Sequence, residues 1–305
     1  MGNYKPKLIV IVGPTACGKT SLSLELAQKY NGEIIAADSR TIYQDMNIGT
    51  AKPSLEERLK IPHYLIDVVQ LDQEFTVAQF KQRALSIIYE ILRRYKVPFL
   101  VGGTGLYISS IVNNLDIPCV PPDQKLRKKL EKKIIKHGLD YLWQKLIKLD
   151  PDAATFIQKQ NPRRIIRALE VCLKTKKPFS QLRQKKECLF NVLQIGIKLN
   201  KKILIQRIDR RTEQMIKQGL VEEVKELMKK YPSEVLALNT IGYQEIISLL
   251  RGDITLNEAV DLIKKNTRQY ARRQMTWFKK DKTIKWIENT EEAEKLVKDF
   301  LKQRY

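Results

Sequence analysis

The chain has 305 residues, 43% of them hydrophobic, and its 56 Lys+Arg outnumber 34 Asp+Glu to give a formal charge of +22. That length suits a main globular domain with a smaller appendage, and that charge points to a polyanionic partner. No apolar run approaches the ~18 residues of a membrane span, and the N-terminus enters its first strand without a signal segment, so a cytoplasmic location is expected. Cys17, Cys119, Cys172 and Cys188 lie far apart and only His63 and His137 accompany them, which supports neither a disulfide framework nor a zinc finger.

Lys7–Val12 reads as a buried strand and Ser21–Lys29 as a helix. Between them stand Gly13, Pro14, Thr15, Ala16, Cys17, Gly18, Lys19 and Thr20, the G-x-x-x-x-G-K-T spacing of a nucleotide-binding P-loop. A glycine turn at a helix N-terminus aims backbone N–H groups and the positive helix end at one point, where a phosphate fits. Lys19 adds a point charge, Thr20 offers a hydroxyl to Mg2+, and Cys17 serves as a small filler. Nucleoside triphosphates and other diphosphates present similar oxygens, so the loop leaves open which it holds.

A second strand, Glu33–Ala37, ends at Asp38, Ser39, Arg40 and Thr41. Residues just past the C-terminal end of a parallel strand face the ligand crevice. Asp38 there is a proton acceptor, a metal ligand or the start of an Asx turn. His63–Asp67 reads as another strand, with Asp67 an option for a second Mg2+ ligand. A helix over 77–94 follows, then a strand over Val97–Val101 and the glycine-rich Gly102–Tyr107. This alternation implies an α/β fold with a doubly wound, mostly parallel sheet.

Three prolines in Ile117–Asp123 end that pattern and mark a linker. Asp123 is expected to cap a helix with Leu126, Leu130, Ile134 and Ile135 on its apolar face. Asp150-Pro151 and Asn161-Pro162 are expected to start two more helices, each with proline at the first helical position. Arg163, Arg164 and Arg167 crowd the N-terminal turn of the last one. There cations oppose the helix dipole unless an anion lies opposite, and a solvated basic face is the rival reading. Charge follows the same division: residues 1–120 carry a net +2, 121–189 a net +12 and 190–305 a net +8. A long nucleic acid is therefore expected on the later segments.

Asn191–Leu199 returns to the sheet, and a helix from Lys201 sets Arg207 and Arg211 on one face, either as clamps for a diphosphate or paired with Asp209 and Glu213. Asn239–Glu245 reads as a loop entering a helix. Thr267–Lys280 mixes five basic residues with three aromatics, a combination that suits phosphate contact with stacking on unpaired bases, while Trp277 and Phe278 fit a core equally well. A last strand, Ile284–Glu288, and an amphipathic helix close the chain.

Gly13–Thr20, Ala37–Arg40, Asn47–Pro53, Gly102–Tyr107, Arg164–Val171, Ile241–Tyr243 and Arg273–Trp277 stand in the order of one family, and the chain resembles the tRNA dimethylallyltransferases nearly end to end. The resemblance implies a P-loop core of residues 1–117 and 190–305 and an all-helical insertion, 118–189, that grips the anticodon stem-loop. It implies transfer of a dimethylallyl group from dimethylallyl diphosphate to the N6 amine of the adenosine just 3′ of the anticodon, with Mg2+ and a monomeric enzyme. The P-loop, Thr15, Lys19, Thr20, Arg207 and Arg211 would then stabilise the departing diphosphate, and Asp38 would be the base. The tRNA contacts implied are Asp38, Ser39, Arg40, Thr41, Thr104, Arg127, Arg163, Arg164, Ile165, Ile166 and Arg167, then Asn239, Thr240, Ile241, Gly242, Tyr243 and Gln244, and finally Arg272, Arg273, Gln274, Met275, Thr276, Trp277, Phe278 and Lys279. Cys17 stands for the usual serine, Thr41 for glutamine, and Asn47 and Asn161 for aspartates. Three rivals compete: a P-loop small-molecule kinase, a prenyltransferase for free adenine nucleotides, and a non-catalytic RNA-binding protein. The first would need a second carboxylate for Mg2+, the second leaves the +12 segment idle, and the third leaves Asp38, Lys19 and Thr20 without purpose.

Overall fold

The computed structural model describes residues 5–118, 120–182, 186–233 and 235–303, and divides the chain into two compact units, Met1–Val112 with Leu189–Tyr305, and Asn113–Cys188. Cys119, in the proline-rich linker, lies outside the described residues.

In the first unit the strands are β1 (Lys7–Val12), β2 (Gly32–Ala36), β3 (His63–Tyr64), β4 (Val97–Gly102), β5 (Asn191–Ile197) and β6 (Lys285–Ile287), in the order β3-β2-β4-β1-β5-β6. Every pairing is parallel, with Ile9 beside Phe99 on one flank of β1 and beside Leu193 on the other. The helices of this unit are α1 (Lys19–Lys29), α2 (Leu55–Lys60), α3 (Val77–Arg93) and α4 (Gly105–Val112); the other helices it holds come after the second unit in the chain. That second unit contributes α5 (Gln124–His137), α6 (Leu139–Leu149), a 3-10 turn (Pro151–Thr155) and α7 (Pro162–Thr175). The chain then returns through α8 (Lys201–Lys217), α9 (Leu220–Lys230), α10 (Tyr243–Leu250), α11 (Leu256–Phe278) and α12 (Thr290–Lys302).

Alternation along β1 divides its side chains between two layers, as the strand period requires. Leu8, Val10 and Val12 pack with Phe80, Ile88 and Ile108 of α3 and α4, and Ile9 and Ile11 pack with Leu22 and Leu26 of α1 and Val297 of α12. A third core, with Met215, Leu220, Val224, Tyr243, Ile246 and Ile263, joins α8 to α11 and includes Ile42 and Met46 from the loop after β2. The helical unit has its own core of Leu130, Leu142, Leu146, Ile165 and Leu169.

Three expectations change. Ile135, expected on the apolar face of α5, is 86% exposed. The strand from His63 ends at Tyr64 because Leu65 and Asp67 take left-handed φ of 62° and 57° and turn the chain away. Asp150 does not cap the turn that follows it. It is fully buried, and its carboxylate accepts from the Ser180 amide at 2.8 Å and the Ser180 hydroxyl at 2.7 Å. Asn161, by contrast, caps α7 by accepting from the Arg164 amide.

Candidate active site

β1 occupies the middle of the sheet, and its C-terminal end opens into Gly13–Gly18. Gly18 precedes α1 at φ 101°, a left-handed conformation that glycine adopts without steric penalty, and it turns the chain so that α1 starts at Lys19. The Lys19 ammonium lies on the loop, donating to the carbonyls of Gly13 at 3.0 Å and Pro14 at 2.7 Å. Cys17 is buried with its sulfur 3.9 Å from that ammonium.

Two adjoining cavities open at this end of the sheet. The first, about 380 Å³, is lined by Thr15, Ala16, Gly18, Lys19 and Thr20 of the P-loop, by Arg207 and Arg211, and by Thr41, Ala51, Pro53 and His63. The second, about 350 Å³, is lined by Ser39, Arg40, Asn239–Gly242, Gln244, Thr267 and Arg273, over an apolar floor of Ile208, Met215 and Ile263. Thr15, Ala16, Asp38, Thr50, Arg211 and Tyr270 line both. The shared wall therefore holds one carboxylate, one guanidinium and one phenol.

One oxygen of Asp38 accepts from the Arg40 amide at 2.8 Å. The Asx turn is thus present, and among the described residues the second oxygen is uncommitted. Next to it the Ser39 amide donates to the Thr104 hydroxyl at 3.0 Å, tying this loop to the glycine-rich one. Burial first, and then the charge of Asp38, push the Tyr270 phenol up to about 12. Arg211 makes no hydrogen bond or ion pair among the described residues. Burial holds its guanidinium below the usual range, an effect that Asp38 opposes. Asp209 and Glu213 do not engage the two arginines: Arg268 takes Asp209 and Lys264 takes Glu213. Arg207 reaches the Cys17 carbonyl at 3.4 Å.

Asp67 is not available as a second metal ligand, because Lys52 at 2.5 Å and Arg58 at 2.9 Å occupy its carboxylate. Thr41 is buried, and its hydroxyl has no hydrogen-bond partner among the described residues, so it lines the first cavity as an open polar atom. Thr20 is exposed at the mouth of that cavity.

Several residues expected at an RNA surface lie inside instead. Gln274, 5% exposed, accepts from the Thr15 amide at 2.8 Å and donates to the Gly103 carbonyl at 2.9 Å, so it clamps the P-loop to the glycine-rich loop. Phe278 belongs to the sheet core, Tyr243 to the α8–α11 core, and Ile165 and Ile166 to the core of the helical unit. Their apolar bodies are worth more in those cores than against a phosphate backbone. Trp277 packs on Gly105 and stays partly exposed. Arg272, Thr276 and Lys279 are exposed, Met275 is half-buried, and Arg273 sits over the Tyr270 ring at 5.7 Å.

In the helical unit Arg127 and Arg167 are also committed. Arg127 grips the fully buried Glu170 carboxylate with two bonds, 2.9 and 2.8 Å, and Arg167 adds a third at 2.5 Å. Burial alone would raise the Glu170 carboxyl; Arg127, the Asp123 amide and Arg167 outweigh it and hold it below the usual carboxylate range. Arg163 and Arg164 are exposed on the first turn of α7.

Known proteins are similar to this chain over nearly its whole length. A family model described as IPP transferase matches residues 41–281. A tRNA dimethylallyltransferase of Acetivibrio thermocellus is 47% identical over 299 residues, with 96% of each chain covered. One from Halothermothrix orenii is 45% identical, covering 96% of this chain and 93% of its own. Among solved structures, the tRNA isopentenylpyrophosphate transferase of Bacillus halodurans superposes with a TM-score of 0.72 at 38% identity, covering 97% of this chain and 96% of that one. A eukaryotic dimethylallyltransferase acting on tRNA gives a TM-score of 0.83 at 31% identity, covering 98% of this chain and 80% of that one. Similarity of this extent over the whole chain has one reading: the chain is an enzyme of the IPP transferase family, that of the tRNA dimethylallyltransferases.

Proposed function

We propose that the protein transfers a dimethylallyl group from dimethylallyl diphosphate to the N6 amine of the adenosine 3′-adjacent to the anticodon of a tRNA and releases diphosphate. The observation that carries this reading is the pair of cavities that share Asp38, Arg211 and Tyr270. A phosphate loop lines one side, and the chamber on the other has an apolar floor with Arg40 and Arg273 in its wall, so a diphosphate and a purine have separate chambers and one meeting point.

N6 attacks the donor's C1 as the C1–O bond to diphosphate breaks. The bonding electrons leave with the diphosphate, and the N6 proton passes to the free oxygen of Asp38. Delocalisation into the ring makes this amine a poor nucleophile, so a base acting as the new bond forms is worth roughly 10²- to 10⁴-fold. Developing charge on the leaving group meets Lys19, Arg207, Arg211 and the loop amides. Arg211 suits this role because no hydrogen bond or ion pair among the described residues already takes its guanidinium. The adenine has to leave its stack to enter the second chamber, at a cost of a few kcal/mol.

The residues lining the first cavity fit a Mg2+ ion. No cluster of three or more His, Cys, Asp or Glu occurs among the described residues. The Thr20 hydroxyl lines that cavity and would share the ion with donor phosphate oxygens, the usual habit of Mg2+, which leaves the Asp38 oxygen to act as the base. When bound it would supply charge neutralisation at the diphosphate. Arg163 and Arg164, together with the lysines of the helical unit, would take tRNA phosphates, with the enzyme working as a monomer in the cytoplasm.

The test is incubation with labelled dimethylallyl diphosphate and unmodified tRNA, followed by mapping of the label. Label on the adenosine beside the anticodon is expected. Transfer from ATP without any prenylation would overturn the reading.

A further inference from the structure

Glu223 of α9 lines neither cavity, yet it joins their walls. One carboxylate oxygen accepts from the amides of Asn47 at 3.0 Å and Ile48 at 2.8 Å; the other accepts from the Gly49 amide at 3.3 Å and the Tyr243 hydroxyl at 2.6 Å. Three successive amides on one carboxylate form an anion nest, here filled by the protein itself. The loop held in this way supplies Thr50, Ala51 and Pro53 to the first chamber and Gly49 and Thr50 to the second. Tyr243 is fully buried and follows directly on Asn239–Gly242, the wall of the second chamber.

The fit is close. A Cβ on Gly49 would lie 2.4 Å from the Tyr243 ring, so the loop and α10 meet where no side chain fits. On its other side the loop is tied by Lys52, whose buried ammonium meets three acceptors: the Tyr43 carbonyl at 2.6 Å, Asn47 Oδ1 at 3.1 Å and Asp67 Oδ1 at 2.5 Å. All three ammonium donors are used. Loop 47–53 is thus fixed from two directions, and on the acceptor side Glu223 supplies the carboxylate that bridges its amides to the Tyr243 hydroxyl.

We infer that Glu223 is a positioning residue for prenyl transfer, which holds the donor wall and the acceptor wall in register through loop 47–53 and Tyr243. This rests on the reading given under Proposed function. A small misplacement of reacting groups costs up to roughly 10²-fold in rate without any loss of binding groups. In Glu223→Gln one carboxylate oxygen becomes an NH2 that cannot accept from the backbone N–H it faces, so part of the nest opens, while the Tyr243 hydroxyl can turn to accept from it. Tyr243→Phe removes only the hydroxyl.

The experiment is single-turnover transfer to an anticodon stem-loop at saturating donor, with donor affinity measured separately by a thio-diphosphate analogue. The rate constant counts only folded molecules; the amplitude reports how many there are. Glu223→Gln is expected to lower the rate constant roughly ten- to a hundredfold, with donor affinity within about threefold because the P-loop groups are untouched. Tyr243→Phe is expected to fall less. Adding it to Glu223→Gln is expected to cost little more, since both act through one carboxylate. A variant that loses amplitude but keeps the wild-type rate constant would show a merely structural glutamate and overturn the inference, as would a loss confined to donor affinity. Absence of transfer by the wild-type enzyme would overturn the underlying reading as well; normal wild-type transfer with an unaffected Glu223→Gln would overturn this inference alone.

Discussion

The two units place their charged groups in opposite ways. The α/β unit has near-balanced charge up to residue 120, yet among the described residues Arg211 has no hydrogen-bond or ion-pair partner and one oxygen of Asp38 is uncommitted, both at the wall between two cavities. Residues 121–189 carry a net +12, yet Arg127 and Arg167 are spent on the buried Glu170. Net charge therefore describes where a polyanion is drawn, and commitment of individual side chains describes what is left to act on it. Free charge is scarce where chemistry is proposed and abundant where only docking is.

The comparison breaks first at Asp38. Asp38→Asn keeps an acceptor for the Arg40 amide and so preserves the turn, but removes the base. Transfer is expected to fall roughly 10²- to 10⁴-fold while tRNA affinity in a filter-binding or fluorescence assay stays close to wild type. Unchanged transfer would remove Asp38 from the mechanism.

The next largest effect belongs to Glu170. Glu170→Ala strands two arginines that reach partly into solvent, which places the cost near the lower end for a broken buried pair, about 3 kcal/mol, read by denaturant unfolding. The pH dependence has a definite sign. Its folded-state carboxyl lies below the unfolded value of about 4.3, so the stabilisation is fully present above that pH and is lost as pH falls through the folded value. Acid titration of wild type and Glu170→Gln should converge at low pH.

Gln274 gives a smaller, local effect in the other unit. Gln274→Glu keeps an acceptor for the Thr15 amide but sets a carboxylate oxygen against the Gly103 carbonyl, where an N–H now donates. An unsatisfied buried group costs about 1–3 kcal/mol, and donor affinity measured by calorimetry should weaken accordingly.

The parts of this molecule that are legible in its sequence are those set by neighbours along the chain. β1, the P-loop and α1 follow from an apolar run, two glycines and a helix-forming segment, and the linker near residue 118 from its prolines. Asn161 is read correctly as a cap because capping is local; Asp150, in the same sequence context, is not, because Ser180 claims it from 30 residues away. Gln274 and Glu223 are illegible for the same reason: their partners lie 259 and 174 to 176 residues off. A basic-aromatic stretch such as 267–280 reads as an RNA surface until α11 is seen to turn Gln274 and Phe278 inward at i and i+4 while Arg272 and Thr276 face out. Family resemblance names positions as a block, and burial is what separates the members of the block.

The smallest effect is also the sharpest test of committed against free charge. Arg163 and Arg164 stand exposed on the turn capped by Asn161, where the helix dipole disfavours cations, and no ion pair among the described residues offsets it. Removing either one should leave unfolding within about 0.5 kcal/mol, weaken tRNA binding several-fold, and reduce the slope of log K against log salt by roughly one. Arg127→Ala should do the reverse: its bidentate hold on Glu170 is lost, so the helical unit is destabilised, while the salt slope of the molecules that remain folded barely moves. If Arg127→Ala changed the salt slope as much as Arg163→Ala, the Glu170 pair would open when tRNA binds, and the division between the two kinds of arginine would describe the free enzyme only.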